Sequence, residues 1–342
     1  VSQVHVRPRG AAPTIRQVAA EAGVSRATAS RVINGGHLVS PTTKAAVEEA
    51  IARLGFTPNP VARSLATRRT GSVALVVPEP DGRLLSDPFF GGIISGLSLA
   101  LEQADLQLAL LIARDSAGAR RASRYLTTGH VDGAIIASHH RDDLLNRELA
   151  ASGLPCVFIG RPLDLEGAHY VDMDNALGAR LATEHLLASG RRHIATIAGP
   201  ADMTAGLARA DGWRESLEAA GRPADAIVES DFTSSGGAAA AEELLARFPD
   251  VDAIFCGSDL IAAGALSVLA AHGRRVPDDV AIIGFDNSDL AEGTHPPLST
   301  VAQPTREMAA RAGEILVELL SDPDLEAEPV VFTPRLVLRE SA

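Results

Sequence analysis

The sequence has only two cysteines in 342 residues, too few for a small secreted fold held by disulfides. Cys156 lies in CVFIG and Cys256 in AIFCG, both apolar strand-like runs, so buried free thiols and a cytoplasmic setting are expected. No apolar stretch approaches the roughly 18 residues of a membrane span. The first residues do not pass from charged to apolar to small, so no secretory signal is expected. GxSxG, a Walker loop and HExxH are absent, and no GxGxxG follows the first strand-like run. An enzyme is therefore not expected, nor is a catalytic residue, a metal or a cofactor. No low-complexity segment or short repeat occurs, and no leucine heptads follow the last strand-like run, so an added tetramerising helix is not expected.

Acidic residues are scarce in one region only. Residues 1–70 hold ten Lys/Arg against three Asp/Glu, whereas the remainder holds twenty-one against forty. The formal charge of −12 thus conceals a basic segment of +7 and an acidic one of −19. The first can attract a phosphate backbone and the second is repelled by it. A chain of 342 residues is also long for one core, so two or three domains are expected.

The basic segment has its own pattern. Residues 1–13, with Pro8, Gly10 and Pro13, read as a flexible arm. Ile15, Val18, Ala19 and Ala22 form an apolar stripe at helical spacing, with Thr14 and Gln17 placed as a capping box. Gly23 supplies a helix stop. Ser25 caps a second helix over 26–33, with Ala29, Val32 and Ile33 inward and Arg26, Ala27, Thr28, Ser30, Arg31 and Asn34 on the other positions. A short polar helix held out by a small apolar hairpin is how a helix-turn-helix offers a recognition helix to the major groove. Gly35-Gly36 makes a loop, and Ser40 or Thr42 caps a third helix that runs to Leu54 and ends at Gly55. Residues 14–58 form this headpiece. Residues 59–71 follow, with a short helix over 61–69 carrying Arg63, Arg68 and Arg69 beside Leu65. That composition suits a minor-groove contact formed only on DNA; an ordinary linker fits it equally.

From Ser72 onward, apolar strand-like runs at 73–77, 106–113, 133–138, 156–160, 193–199, 253–257 and 280–286 alternate with amphipathic helical ones. Such alternation predicts parallel sheets covered on both faces, with binding residues at the carboxyl ends of the strands. About 270 residues are too many for one such sheet, so two similar lobes with a cleft between them are expected.

TIRQVAAEAGVSRATASRVINGG resembles the headpiece signature of the LacI family of transcriptional regulators, and NPVARSLATRRT resembles its hinge helix. DPFFGGIISGL, RRHIATIAGP, RADGWRESLEAAG, DAIFCGSDLIAAGAL, RRVPDDVAIIGFDN and PPLSTVAQP resemble its effector-binding core. The likeness covers nearly the whole chain. Five core segments (138–143, 159–163, 170–175, 197–206 and 230–236) look most like those of actinobacterial repressors that respond to cellobiose and cello-oligosaccharides.

The resemblance implies an N-terminal all-α helix-turn-helix headpiece and an α/β periplasmic-binding-protein-like core of two doubly wound parallel-sheet lobes joined by three crossing strands. Lobe 1 is expected over about 72–173 and 305–328, and lobe 2 over about 174–301 and 329–342. It implies a homodimer on palindromic operator DNA, controlled by a small sugar and without membrane contact. Regulation by another sugar, or by a purine-type corepressor, is the alternative; a sugar-transport protein would not need the headpiece.

DNA reading is expected from Arg26, Ala27 and Arg31, with Thr14, Ser25, Thr28, Ser30 and Asn34 on phosphates or neighbouring edges. A bidentate Arg–guanine pair is worth roughly 1–3 kcal/mol of discrimination. By resemblance, Asn59, Arg63 and Leu65 of the hinge join them, Leu65 as the minor-groove wedge. Ala62 and Ala66 let paired hinge helices approach.

For the effector, the resemblance implies Arg209 on ligand oxygens and Asp286 on sugar hydroxyls. It adds Phe232 as a stacking aromatic, and Ser258 and Asp259 at a strand end. Ser258 departs from the Asn common there, and Asp259 alternatively caps its helix. Glu79, Phe89, Phe90, Ser138, His139 and Arg161 lie near strand ends of the first lobe. Of Phe89 and Phe90, one is expected in the cleft and one in the core. Trp213 reads as core, and His139 and His140 read more readily as surface-loop histidines than as ligands. Aromatic faces with acids and arginine suit a neutral sugar.

Leu65→Ala is expected to weaken binding to a specific operator far more than to random duplex DNA in fluorescence anisotropy. Equal losses on both would remove Leu65 from the operator centre.

Overall fold

The computed structural model describes residues 13–33, 39–57, 69–141, 143–163, 165–326 and 328–342. Residues 1–12 of the arm expected over 1–13, the Gly35-Gly36 loop and the helix expected over 61–69, apart from Arg69, lie outside the described residues. The chain divides into two compact units, residues 1–70 and 71–342.

The described residues of the first unit form three helices, α1 (Ile15–Glu21), α2 (Arg26–Ile33) and α3 (Pro41–Leu54). Thr14 closes the capping box with Gln17: the Thr14 N–H donates to Gln17 Oε1 at 2.8 Å, and the Gln17 N–H returns to Thr14 Oγ1. Gly23 takes the left-handed backbone at φ 66° between α1 and α2. Ser25 Oγ accepts from the Thr28 N–H at 3.1 Å. At α3 the cap is Ser40, with Pro41 in the first turn where its missing N–H costs nothing. The small core is Val18, Val47 and Ala50, bordered by Ala22, Val24, Val32, Ile51, Leu54 and Phe56. Phe56, just past the helix stop at Gly55, thus packs on the headpiece core.

The second unit holds two six-stranded sheets. The first contains β1 (Ser72–Val77), β2 (Gln107–Ile112), β3 (Gly133–Ala137), β4 (Cys156–Ile159), β5 (His169–Met173) and β11 (Val330–Phe332), in the order β11-β5-β4-β3-β1-β2. The second contains β6 (Ile194–Ala198), β7 (Ile227–Glu229), β8 (Ala253–Cys256), β9 (Ala281–Asp286), β10 (Ser299–Ala302) and β12 (Arg335–Val337), in the order β12-β10-β9-β8-β6-β7. The pairings are parallel except that of β10 with β12. In each sheet the order reverses beside the first strand, between β1 and β3 and between β6 and β8. These are the switch points where doubly wound sheets open a crevice at their carboxyl ends.

The helices of this unit are α4 (Asp81–Ser86), α5 (Pro88–Gln103), α6 (Ser116–Thr127), α7 (Leu144–Ser152), α8 (Asn175–Ala188), α9 (Thr204–Ala219), α10 (Ser234–Arg247), α11 (Asp259–Ala271), α12 (Asp289–Gly293) and α13 (Thr305–Ser321). None is long and apolar enough to cross a membrane. The chain crosses between the lobes three times, at Asp174, at Gln303-Pro304 and between Phe332 and Arg335. The last crossing lies later than expected. Residues 330–332 pair with β5 of lobe 1, from Val330–Val171 to Phe332–Met173, rather than belonging to lobe 2. That edge strand is only partly buried, so its sequence lacks the apolar run that marks the central strands.

The central strands are fully covered. Every residue of β3, β6 and β8 is buried, as continuous apolar runs require. Cys256 is a buried free thiol and Cys156 a half-buried one; burial pushes the Cys156 thiol up to about 12. Trp213 is fully buried in the main core. Helices α5 and α13 pack closely because Gly96 and Gly313 have no side chain. A Cβ on Gly96 would meet the Arg306 carbonyl and sit 2.9 Å from Ala309 Cβ, and one on Gly313 would lie 2.9 Å from Ala100 Cβ.

Gly96→Val must therefore push α13 off lobe 1. Overpacking of this kind costs about 1–3 kcal/mol, and a lowered urea midpoint with an unchanged slope is the expected reading.

Candidate functional site

On α2, Ser25, Arg26, Ala27 and Arg31 are exposed, while Thr28 and Ser30 are half-buried. Ala29 is buried and Val32 packs on the core, so the helix is held from behind and presents its arginines outward. The Ser25 hydroxyl is committed to the Thr28 N–H and lies 2.8 Å from Thr28 Oγ1. Thr14 is exposed, with its hydroxyl on Gln17. Asn34, Asn59, Ala62, Arg63, Leu65 and Ala66 lie outside the described residues.

In the larger unit, strand carboxyl ends from both lobes surround a cavity. Its walls include Arg83, Asp87, Phe89, Ser138 and His139 from lobe 1, and Met203, Thr204, Arg209, Phe232, Ser258 and Asp286 from lobe 2. Asp172, Asn175 and Gln303 line it where the chain crosses or nears a crossing.

Arg209 projects from α9 and is nearly fully buried. Its Nε donates to Asn175 Oδ1 at 2.9 Å, Nη1 to the Gly257 carbonyl at 2.6 Å and Nη2 to Gln303 Oε1 at 2.9 Å. Nη1 also lies 3.5 Å from Asp286 Oδ1, and the guanidinium carbon sits 3.6 Å from the centroid of the Phe285 ring. Burial lowers the Arg209 pKa, and the carboxylates of Asp286, Asp172, Asp259 and Asp87 oppose that. Asp286 ends β9 with φ 107°. Burial raises its pKa well above the ordinary value; Arg209 opposes the shift, and Asp259 and Asp87 add to it. Burial also raises Asp87 and Asp172.

Phe232, at φ 61°, sits over Gly199, where a Cβ would strike its ring. Phe89 lines the cavity, whereas Phe90 is fully buried in the core with its ring 5.4 Å from that of Phe89. Phe90 is thus a packing residue: Asp87 accepts from the Phe89 N–H to start α5, and helical geometry turns the next side chain inward.

The remaining candidates take different places. Ser258 is both a cavity residue and the cap of α11, accepting from the Ile261 N–H at 3.2 Å. Asp259, one position on, faces away from the cavity and does not cap. Its carboxylate accepts from Thr300 Oγ1 at 2.6 Å and from the Ser288 N–H at 2.8 Å, and burial raises its pKa to about 6. Arg161 is exposed and does not line the cavity; its backbone N–H donates to Asp172 Oδ2 and its carbonyl accepts from Thr204 Oγ1.

Glu79 also lies outside the cavity lining, one layer behind it. It is buried and accepts from Ser138 Oγ at 2.7 Å, from His140 Nε2 at 3.1 Å and from Arg83 Nη1. His140 in turn places Nδ1 2.9 Å from Asp202 Oδ2 on lobe 2, and the Arg141 N–H donates to the Asp202 carbonyl. The histidines are therefore not free loop residues. His139 is buried, 3.0 Å from the Gly160 carbonyl, and burial lowers it to about 4. His140 is raised to about 9 by its hydrogen bond to Glu79, against burial and with help from Asp202. Burial opposes the ionisation of Glu79, but His140, Arg83 and Ser138 outweigh it and its pKa falls.

Arg83, Asp87, Asp172, Asn175, Met203, Thr204 and Gln303 complete the cavity without having been expected there. Asp87, Asp172 and Asn175 lie inside segments whose resemblance was noted. Their strand-end positions were the available signal; their inward direction was not.

Residues 14–59 match the model for bacterial regulatory proteins of the lacI family, and residues 183–342 that for a periplasmic binding protein-like domain. The HTH-type transcriptional regulator CelR of Thermobifida fusca is 48% identical over 333 residues, 96% of this chain and 98% of that one. The ribose operon repressor of Haemophilus influenzae is 34% identical with the same coverage. Among solved structures, a transcriptional regulator CelR–cellobiose complex is 46% identical with a TM-score of 0.78, covering 96% of this chain and 100% of that one. A lac repressor dimer bound to operator and the anti-inducer ONPF is 26% identical with a TM-score of 0.83, covering 96% and 99%.

The His140 bridge is expected to make stability depend on pH. Its folded pKa of about 9 exceeds the ordinary 6.5, so the contribution is complete below about 6.5 and lost as pH rises through 9. The thermal midpoint of the wild type should fall over that window, and His140→Asn should flatten the fall. A parallel decline in both proteins would assign it elsewhere.

Proposed function

This chain belongs to the lacI family of bacterial regulatory proteins and is a DNA-binding transcriptional regulator, and on that premise we propose that it is a homodimeric repressor released from a palindromic operator by cellobiose or a longer cello-oligosaccharide. The observation that carries the effector reading is the chemistry of the cavity. Two guanidiniums face three carboxyls, with the Phe89 and Phe232 rings and Met203 beside them. The near-balance of charge gives no excess of cations for an anionic ligand. Carboxyls accept from sugar hydroxyls, guanidiniums donate to sugar oxygens, and rings cover the apolar face of a pyranose. The CelR–cellobiose complex, similar across nearly the whole chain, supports the same ligand class.

DNA reading falls to the exposed arginines of α2, Arg26 and Arg31, and the hinge residues, Leu65 among them, act at the operator centre. Arg209 and Asp286 anchor the sugar. The sugar releases DNA because it binds the non-operator conformation more tightly, which is the only way a ligand can shift such an equilibrium.

An anisotropy titration of operator-bound protein with cellobiose should show release. Unchanged or tighter operator binding would overturn the inducer assignment. Arg209→Ala should abolish the response; a retained response would take Arg209 out of the effector site.

A further inference from the structure

Helix α4 lies between β1 and α5, and its Arg83 side chain is only 10% exposed. Arg83 lines the cavity, and its Nη1 donates to Glu79. Its guanidinium carbon lies 5.3 Å from the centroid of the Phe232 ring, which comes from the opposite lobe. The Arg83 Nε, however, is buried and has no hydrogen-bond partner among the described residues. Arg209, on the same cavity, has an acceptor for Nε, Nη1 and Nη2 alike. A buried unpaired guanidinium N–H is costly. An aromatic face attracts the cation but offers no ordinary acceptor.

We infer that Arg83 reads the effector directly, its Nε–H donating to an oxygen of a neutral sugar held between the lobes. The inference rests on the sugar reading above. Three features support this role. First, the guanidinium is positioned in advance: Glu79 is itself fixed by Ser138 and His140. Second, the carboxyls lining the same cavity accept hydrogen bonds from hydroxyls, whereas Arg83 needs an oxygen that accepts, and a sugar presents both. Third, Arg83 reaches the Phe232 ring on lobe 2, so a sugar oxygen bonded there sits where both lobes close on it. Arg83 is then a specificity residue, discriminating by the position of one ligand oxygen.

Calorimetric titration of the full chain with cellobiose tests this in wild type, Arg83→Lys and Arg83→Met. Lysine keeps a cation within reach of Glu79 but removes the Nε donor; methionine keeps the apolar stem alone. Both variants should bind cellobiose about ten- to a hundredfold more weakly. Wild-type affinity in the lysine variant would overturn the inference, because the ion pair with Glu79 would then be all that Arg83 supplies. Wild-type affinity in the methionine variant would overturn it too. Glucose, ribose and hypoxanthine run beside cellobiose separate the two readings. If the wild type binds one of these and not cellobiose, the cello-oligosaccharide reading falls, and the same comparison of variants with that compound decides Arg83.

Discussion

The buried guanidinium of Arg209 is the constraint around which the core is arranged. An arginine cannot shed its charge under ordinary conditions, so burying it demands acceptors in a fixed fork geometry. Here they come from three separate places: Asn175 just past the first lobe crossing, Gln303 at the second, and the Gly257 carbonyl past β8. Asp286 supplies the countercharge from the end of β9. One side chain thereby ties two of the three crossings to the floor of the cleft. Removing any acceptor leaves a buried donor unmatched, so the crossing segments and the cleft floor constrain one another.

A second polar centre closes the cleft from the other side. Glu79 holds Ser138, Arg83 and His140, and two of these reach lobe 2, Arg83 over Phe232 and His140 against Asp202. One apolar cluster runs through both lobes, and at the cleft the geometry adds charge-assisted contacts between them. Such contacts can be remade as lobes move, which suits a regulator whose two conformations must differ by only a few kcal/mol. The acidic body and basic headpiece fit the same use. The −19 part does not itself favour DNA, so the grip depends on the headpieces and the short segment after them.

Much of the fold was legible because it rests on local chemistry. Thr14, Gly23, Ser40 and Gly55 punctuate the headpiece as their side chains and backbone freedom require. Long apolar runs announced the central strands. The short strands β5, β7, β10, β11 and β12 were not announced. They have three to five residues, and β7, β11 and β12 lie at sheet edges where one side needs no apolar residue. Residue 329 therefore looked like the start of lobe 2, although β11 still pairs with β5. Arg209, Asp286 and Phe232 line the cleft, but Phe90, Asp259, Glu79 and Arg161 do not. Each is within a residue or two of a strand end or helix start. At such points a single step in the chain turns a side chain from the cavity to the core or to solvent, as Phe89 and Phe90 show.

The sequence by itself determined the two-part charge, the helix-turn-helix and the parallel, two-lobed core, because periodicity, capping and apolar runs act over a few neighbouring residues. Only the tertiary structure decided which strand-end side chains meet. Arg83 and Phe232 are far apart in the chain, as are Glu79 and His140, or Arg209 and Gln303. Their partnership depends on how two sheets and three crossings are set against each other, and no local pattern encodes that.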